Sequence, residues 1–134
     1  MHVIRPWDVY HVDLHNGYKK KFFIPLLRVL SLEYGSPVMR WLGFYISSSP
    51  QHVAGLKGND ITISSVVYGF LKKDSSINAG ELNMHPESQL VEYRDYIRQG
   101  DRGRVFAVVE KSKTLEPEHI QSILALRLQP TITT

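Results

Sequence analysis

Asp8-Val9-Tyr10-His11-Val12-Asp13-Leu14 alternates larger apolar with polar side chains. A period of two marks a half-buried strand. Asn16-Gly17 follows, a dipeptide suited to a tight turn because both residues tolerate positive φ. The run Lys19-Lys20-Lys21 then leads into a predicted second strand, Phe22 to Ser31. Pro25 lies inside it, which predicts an edge strand or pairing that begins after the proline. Tyr34-Gly35-Ser36-Pro37 reads as a turn, and Val38 to Ser47 as a third strand carrying Trp41, Phe44 and Tyr45. Three strands joined by short turns predict an antiparallel meander. Phe22, Phe23, Trp41, Phe44 and Tyr45 fall within these strand patterns and are expected in the core.

Downstream the pattern is less regular. Ser48 to Asp60 is rich in Ser, Pro, Gly, His and Asn, and is expected to be a long loop of the kind that often carries function. Ile61 to Leu71 is ambiguous between a strand around Ile61 and Ile63 and a short helix over Ser65 to Leu71. Ser75-Ser76-Ile77 reads as a short strand after the break at Lys72-Lys73-Asp74. From Pro86, with Glu87 in the first turn, Leu90, Tyr93 and Ile97 recur at helical spacing up to Gly100, which predicts a helix. Arg104 to Glu110 reads as a strand buried on both faces. Leu115 to Leu128 is the clearest helix. Pro117 and Glu118 open it, Ile120, Ile123, Leu124 and Leu128 line one stripe, and Pro130 stops it.

The 134 residues suit one domain, read as 1–130 with a frayed tail at 131–134. A hydrophobic share of 43% is enough for a core, and the formal net charge is +3. A mild basic excess is compatible with nucleic acid. Arg94, Arg98, Arg102 and Arg104 form a second basic run beside the lysines, diluted by Asp95 and Asp101. Either run is also what an ordinary solvated surface carries. The chain has no cysteine, which removes disulfides and thiolate chemistry and suits a reducing compartment. Met1 to Asp8 lacks the apolar stretch of a signal peptide, and no apolar run is long enough to span a bilayer, so a cytoplasmic location away from membranes is expected. No two histidines have the i, i+4 helical spacing of a zinc site, and neither metal nor cofactor is expected.

Pro6-Trp7-Asp8-Val9-Tyr10-His11-Val12-Asp13-Leu14 resembles the opening strand of the PemK/MazF family, a Gly-Asp-Ile-Trp/Tyr-x-Val-Asp-Leu pattern, with Trp7 in place of the usual glycine. Three stretches follow in family order. Phe23 to Ser31 is similar to the Arg-Pro-apolar second strand, Leu42 to Ser48 to the third strand with its terminal Ile-Thr-Ser, and Gly69 to Ile77 to the Gly-Leu-Lys-x-x-Ser-Val step. Leu115 to Leu128 fits the closing helix. Together these cover roughly two thirds of the chain, leaving Asn83 to Gly103 as an insertion. The resemblance implies a small SH3-like antiparallel barrel with appended helices, an inserted one among them, and a homodimer. It implies a toxin-type endoribonuclease that cuts single-stranded RNA without metal and pairs with an antitoxin protein.

Metal-free RNA cleavage requires a base for the ribose 2′-hydroxyl, a cation or donor for the charge on phosphorus, and an acid for the leaving oxygen. The resemblance puts the family's closing threonine or serine at Ser47 and its arginine at Ile24, a departure from the pattern. Lys20 and Arg28 each lie four residues from Ile24, about 13 Å along a strand, and share its face if no bulge intervenes. Lys21 is nearer but points to the opposite face. The candidate catalytic residues are therefore Ser47, Lys21 and His52, the last in the long loop. Tyr18, Lys19, Lys20, Arg28 and His11 are the candidate RNA contacts, combining cations with an aromatic face and an imidazole that titrates near neutrality. His85 reads as a helix entry. Against the nuclease stand a catalytically silent relative that binds a partner protein or nucleic acid, as the gyrase-binding CcdB toxins act by binding alone, and an unrelated β-rich domain.

Overall fold

A computed structural model describes residues 3–14, 20–48 and 59–129. The strands are β1 (Asp8–Asp13), β2 (Lys20–Glu33), β3 (Ser36–Ser47), β4 (Asp60–Ile63), β5 (Ser75–Asn78), β6 (Asn83–Pro86) and β7 (Tyr93–Tyr96). Helices α1 (Gln99–Glu110) and α2 (Pro117–Leu124) follow, with 3-10 turns at Glu87–Gln89 and Ala125–Leu128. All pairings are antiparallel, in one seven-stranded sheet of order β4-β5-β3-β2-β1-β7, with β6 also on β3. This path is open, ending at β4 and β7. Among the described residues, no helix is long and apolar enough to cross a membrane.

The expected meander of β1, β2 and β3 is present. The predicted turn at Asn16-Gly17 and the loop at 49–58 lie outside the described residues. Tyr34 (φ 51°) and Gly35 (φ 81°) make a two-residue hairpin turn between the paired Glu33 and Ser36. Two left-handed residues match the twist of the flanking strands.

As far as Pro25, β2 is not an edge strand, although from Arg28 to Glu33 only β3 pairs with it among the described residues. β2 lies between β1 and β3, and its pairing begins at Lys20. The register with β3 shifts between Pro25 and Leu27, and a bulge is where a strand interior tolerates a residue with no N–H to give. The Pro25 carbonyl accepts the Trp7 N–H at 3.0 Å. The bulge also resets the alternation of side chains. Ile24 pairs with Phe44 but Arg28 pairs with Trp41, and positions 41 and 44, an odd number apart, point to opposite faces. Arg28 therefore leaves the face of Ile24.

Two cores form, one on each side of the meander. The larger contains Ile24, Leu26, Phe44, Ile46 and Ile77, with Val105 and Val109 of α1 and Ile123 of α2. The smaller contains Tyr10, Val12, Phe23, Trp41 and Leu90. Phe23, Trp41 and Phe44 are buried, as expected, while Phe22 and Tyr45 pack from the margins.

Four expectations are corrected. Pro86 to Gly100 is not a helix. It makes the end of β6, a 3-10 turn and β7, and β7 pairs with β1 through Asp8↔Tyr96 and Tyr10↔Tyr93. Asn83 to Gly103 thus contributes two strands to the sheet and the start of α1, where an inserted helix was expected. The free edge of β1 offered hydrogen bonds that outweighed a local helical spacing. Arg104 to Glu110 is not a strand but the body of α1. Its apolar run satisfies helical periodicity as well, since Val105 and Val109 are fully buried while Ala107 is exposed. The alternative helix at Ser65 to Leu71 is a series of turns. The closing helix is α2 and its 3-10 extension, but Leu128 is exposed.

A Cβ added at Gly43 would run into the Ile24 carbonyl oxygen and the Phe23 ring. Gly43→Ala should therefore cost about 3 kcal/mol or more, because backbone rather than a flexible side chain blocks it. Gly103 stands inside α1 with open space around it, so Gly103→Ala should stabilise by about 0.5–1 kcal/mol. Urea unfolding midpoints of the two variants against the parent check both signs.

Candidate nucleic-acid interface

The candidates split between the two faces of the meander. His11 and Lys20 lie together at the β1–β2 margin. The His11 ring stacks on Phe22 with centroids 4.5 Å apart. Lys20 Nζ donates to Glu92 Oε1 at 3.2 Å, and His11 Nδ1 is 3.7 Å from Glu92 Oε2. Burial, then the nearby Lys20 and Arg94 charges, push the His11 imidazole below its usual value. Its neutral form is favoured, and so this cluster offers a phosphate little positive charge that is not already facing Glu92.

Lys21 takes the opposite face. Its ammonium sits 5.2 Å from the centroid of the Tyr45 ring, within cation–π range. Ser47, two residues further along β3, shares the Tyr45 face, and its backbone pairs with Ser76 of β5. Lys21 and Ser47 are therefore brought to one end of the sheet around Tyr45. Tyr18, Lys19 and His52 lie outside the described residues.

Two residues that the sequence reading did not assign to a site complete this end. The Tyr45 hydroxyl is 2.6 Å from His85 Nε2, and His85 Nδ1 is 2.9 Å from Gln89 Oε1. The Gln89 amide oxygen can only accept, so Nδ1 carries a proton, and in the neutral ring Nε2 then accepts the Tyr45 hydroxyl hydrogen. His85 is not a helix entry but a β6 residue opposite Trp41. Burial, then the Glu81 charge, raise the Tyr45 phenol, which stays protonated and donates. Phe23 closes the group, 4.8 Å from His85 and 5.8 Å from Tyr45, ring to ring. His85 is only 6% exposed. The chain of hydrogen bonds therefore fixes the Tyr45 ring, which is half-buried and has the ammonium of Lys21, itself half-buried, over it. No local pattern could signal it, because Tyr45 and His85 are forty residues apart.

Arg28 belongs elsewhere. Its Nε donates to Glu87 Oε2 at 2.8 Å, and Trp41 Nε1 donates to the same oxygen at 2.9 Å. This carboxylate ties the Glu87–Gln89 turn to both long strands. Arg28 also borders a cleft of about 430 Å³ lined by Pro6, Leu26, His119, Ser122 and Leu126. Among the described residues, the one grouping with metal-ligand geometry is Glu116, Glu118 and His119. It is mostly exposed and lies at the start of α2, apart from Lys21 and Ser47.

The Arg28 hydrogen bond holds the Glu87 carboxyl below its ordinary value of 4.5, and the Trp41 bond adds to the effect. A carboxyl more acidic folded than unfolded gives its full stabilisation above its unfolded value. The contribution disappears as pH falls through the folded value. Arg28 is half exposed, so water screens the ion pair. Glu87→Gln should cost about 1 kcal/mol at neutral pH, and the gap to the parent should close below pH 4.5, as read from denaturation at a series of pH values. Compared with known proteins, the chain matches no family model and no curated relative.

Proposed function

We propose that this chain is an SH3-like barrel that binds single-stranded RNA at the Lys21–Tyr45–Ser47 end and does not cut it. The observation that carries this reading is Ile24. The PemK/MazF resemblance expects an arginine there, and Ile24 is fully buried in the larger core beside Phe44. No cation can reach a phosphate from that position. The expected substitutes do not converge on it, since Lys20 faces Glu92, Arg28 holds Glu87, and Lys21 lies over Tyr45. An oriented aromatic ring beside an ammonium is what stacking and backbone attraction require of a single-strand binder.

Two features support the barrel and the resemblance. β2 is shared by β6-β3-β2 and β2-β1-β7, is shifted in register at Pro25, and a 3-10 turn joins β6 to β7 around the smaller core. Trp7, aligned with the family's glycine, has φ 76°. Glycine takes that conformation without steric cost, and a bulky residue there is an outlier.

The metal-independent endoribonuclease, with its toxin role and antitoxin partner, is the second reading. It is favoured by the Tyr45–His85–Gln89 proton chain beside Lys21 and Ser47. One experiment divides them: a labelled single-stranded RNA is incubated with the protein in EDTA, and both anisotropy and RNA length are followed. Binding of intact RNA is expected, with Lys21→Ala weakening it several-fold and lowering the salt slope by about 0.7. Discrete fragments that vanish in Ser47→Ala or His85→Ala would establish the nuclease instead. Absence of binding at low salt would reject both.

A further inference from the structure

Carboxylates keep Lys20 from a phosphate. Its ammonium donates to Glu92 Oε1 at 3.2 Å and lies 3.9 Å from Asp13 Oδ1. Arg94 Nη2 donates to Glu92 Oε2 at 3.3 Å. His11 Nδ1 stands 3.7 Å from that same oxygen, too far for a hydrogen bond. The His11 backbone N–H donates to the Glu92 carbonyl at 2.9 Å, and its ring is stacked on Phe22. The imidazole is therefore held beside the Glu92 carboxylate without engaging it. While the ring is neutral, Lys20 and Arg94 balance Glu92 and Asp13. One proton on His11 tips the group to a net positive charge and gives Glu92 a further cation to face.

Resting on the RNA-binding reading above, we propose that His11 is a proton-operated gate on that site. Its imidazolium draws the Glu92 carboxylate to itself and releases Lys20 to the RNA strand held at Lys21. Lys20 directly precedes Lys21 at the start of β2, so the freed ammonium adds charge at the same end of the sheet. The exchange asks little. The Lys20 and Glu92 side chains are 42% and 41% exposed, and such surface pairs are weak. The His11 ring, already aligned by its backbone bond and by Phe22, loses less freedom on pairing than a lysine chain does. Burial and the Lys20 and Arg94 charges favour the neutral ring. The gate is therefore shut at neutral pH and opens as pH falls below 6.5, the ordinary imidazole value. By linkage, RNA that prefers the protonated form raises the proton affinity of His11. Glu92 and Arg94 lie in the stretch from Asn83 to Gly103 that the PemK/MazF pattern does not cover, so the gate is a feature of this chain and not of the resemblance.

Anisotropy of a labelled single-stranded RNA, read at neutral pH and at about pH 5 with circular dichroism unchanged, tests the gate. Affinity of the parent should rise several-fold in acid, and the salt slope should steepen by about 0.7 for one added phosphate contact. His11→Gln should lose the rise, and so should Lys20→Ala, which a direct contact by the imidazolium would not require. Glu92→Gln should already bind more tightly than the parent at neutral pH, because Lys20 is free. A parent that binds equally at both pH values would overturn the gate and leave the RNA site standing. A rise that survives His11→Gln or Lys20→Ala would also overturn it. In the free protein, the Lys20 side-chain nitrogen resonance should follow the His11 titration and stay still in His11→Gln. A Lys20 resonance indifferent to His11 decides against the gate without any RNA. A parent that binds no RNA at either pH, with Lys20 still following His11, would reject the RNA reading and with it the gate's role.

Discussion

At Gly43 the backbone of β3 passes so close to Ile24 that no side chain fits between them. The rest of the molecule depends on that approach. It occurs where the β2–β3 register shifts at Pro25, and the shift turns one long strand into two segments with opposite facing rules. Before it, β2 sends Ile24 toward the helices. After it, β2 sends Arg28 toward Trp41 and Glu87. The same carbonyl that proline leaves free on its other side accepts from Trp7, whose own carbonyl accepts from Ile97 at 2.8 Å. The start of β1, the middle of β2 and the end of β7 are fastened at one point.

Because the bulge sorts side chains, it also sorts chemistry. The cations that the sequence brings close together are divided between two faces, and each meets a partner there. Lys20 finds Glu92, Arg28 finds Glu87, and Lys21 finds the Tyr45 ring. Among the described residues, these three cations do not converge on one point, as the charge of a metal-free cleavage site would have to. A single ammonium beside a fixed aromatic ring asks for less, and suits holding a strand.

The alternation from Asp8 to Asp13 and the hairpin at Tyr34-Gly35 were legible because they are local. Each depends on residues within a few positions. Arg104 to Glu110 was not, since five apolar residues in a row fit a buried strand and a buried helix equally well. What decided was the long-range pairing of Tyr93 to Tyr96 with β1, which used the remaining strand-forming segment. Of the candidate residues, Lys21 and Ser47 were singled out from the sequence, and the structure places them at one end of the sheet. His85 was not, because its role depends on the register of β6 against β3 forty residues earlier. The position of Arg28 was conditional on the absence of a bulge, and a bulge is present.

The most direct measurement is an amide-resolved NMR titration of the protein with a short single-stranded RNA. The account predicts that shift changes concentrate on Lys21, Tyr45, Ser47 and the adjoining His85 strand, with RNA intact at the end. Changes confined to the Arg28 cleft, with the Tyr45 end unmoved, would contradict it.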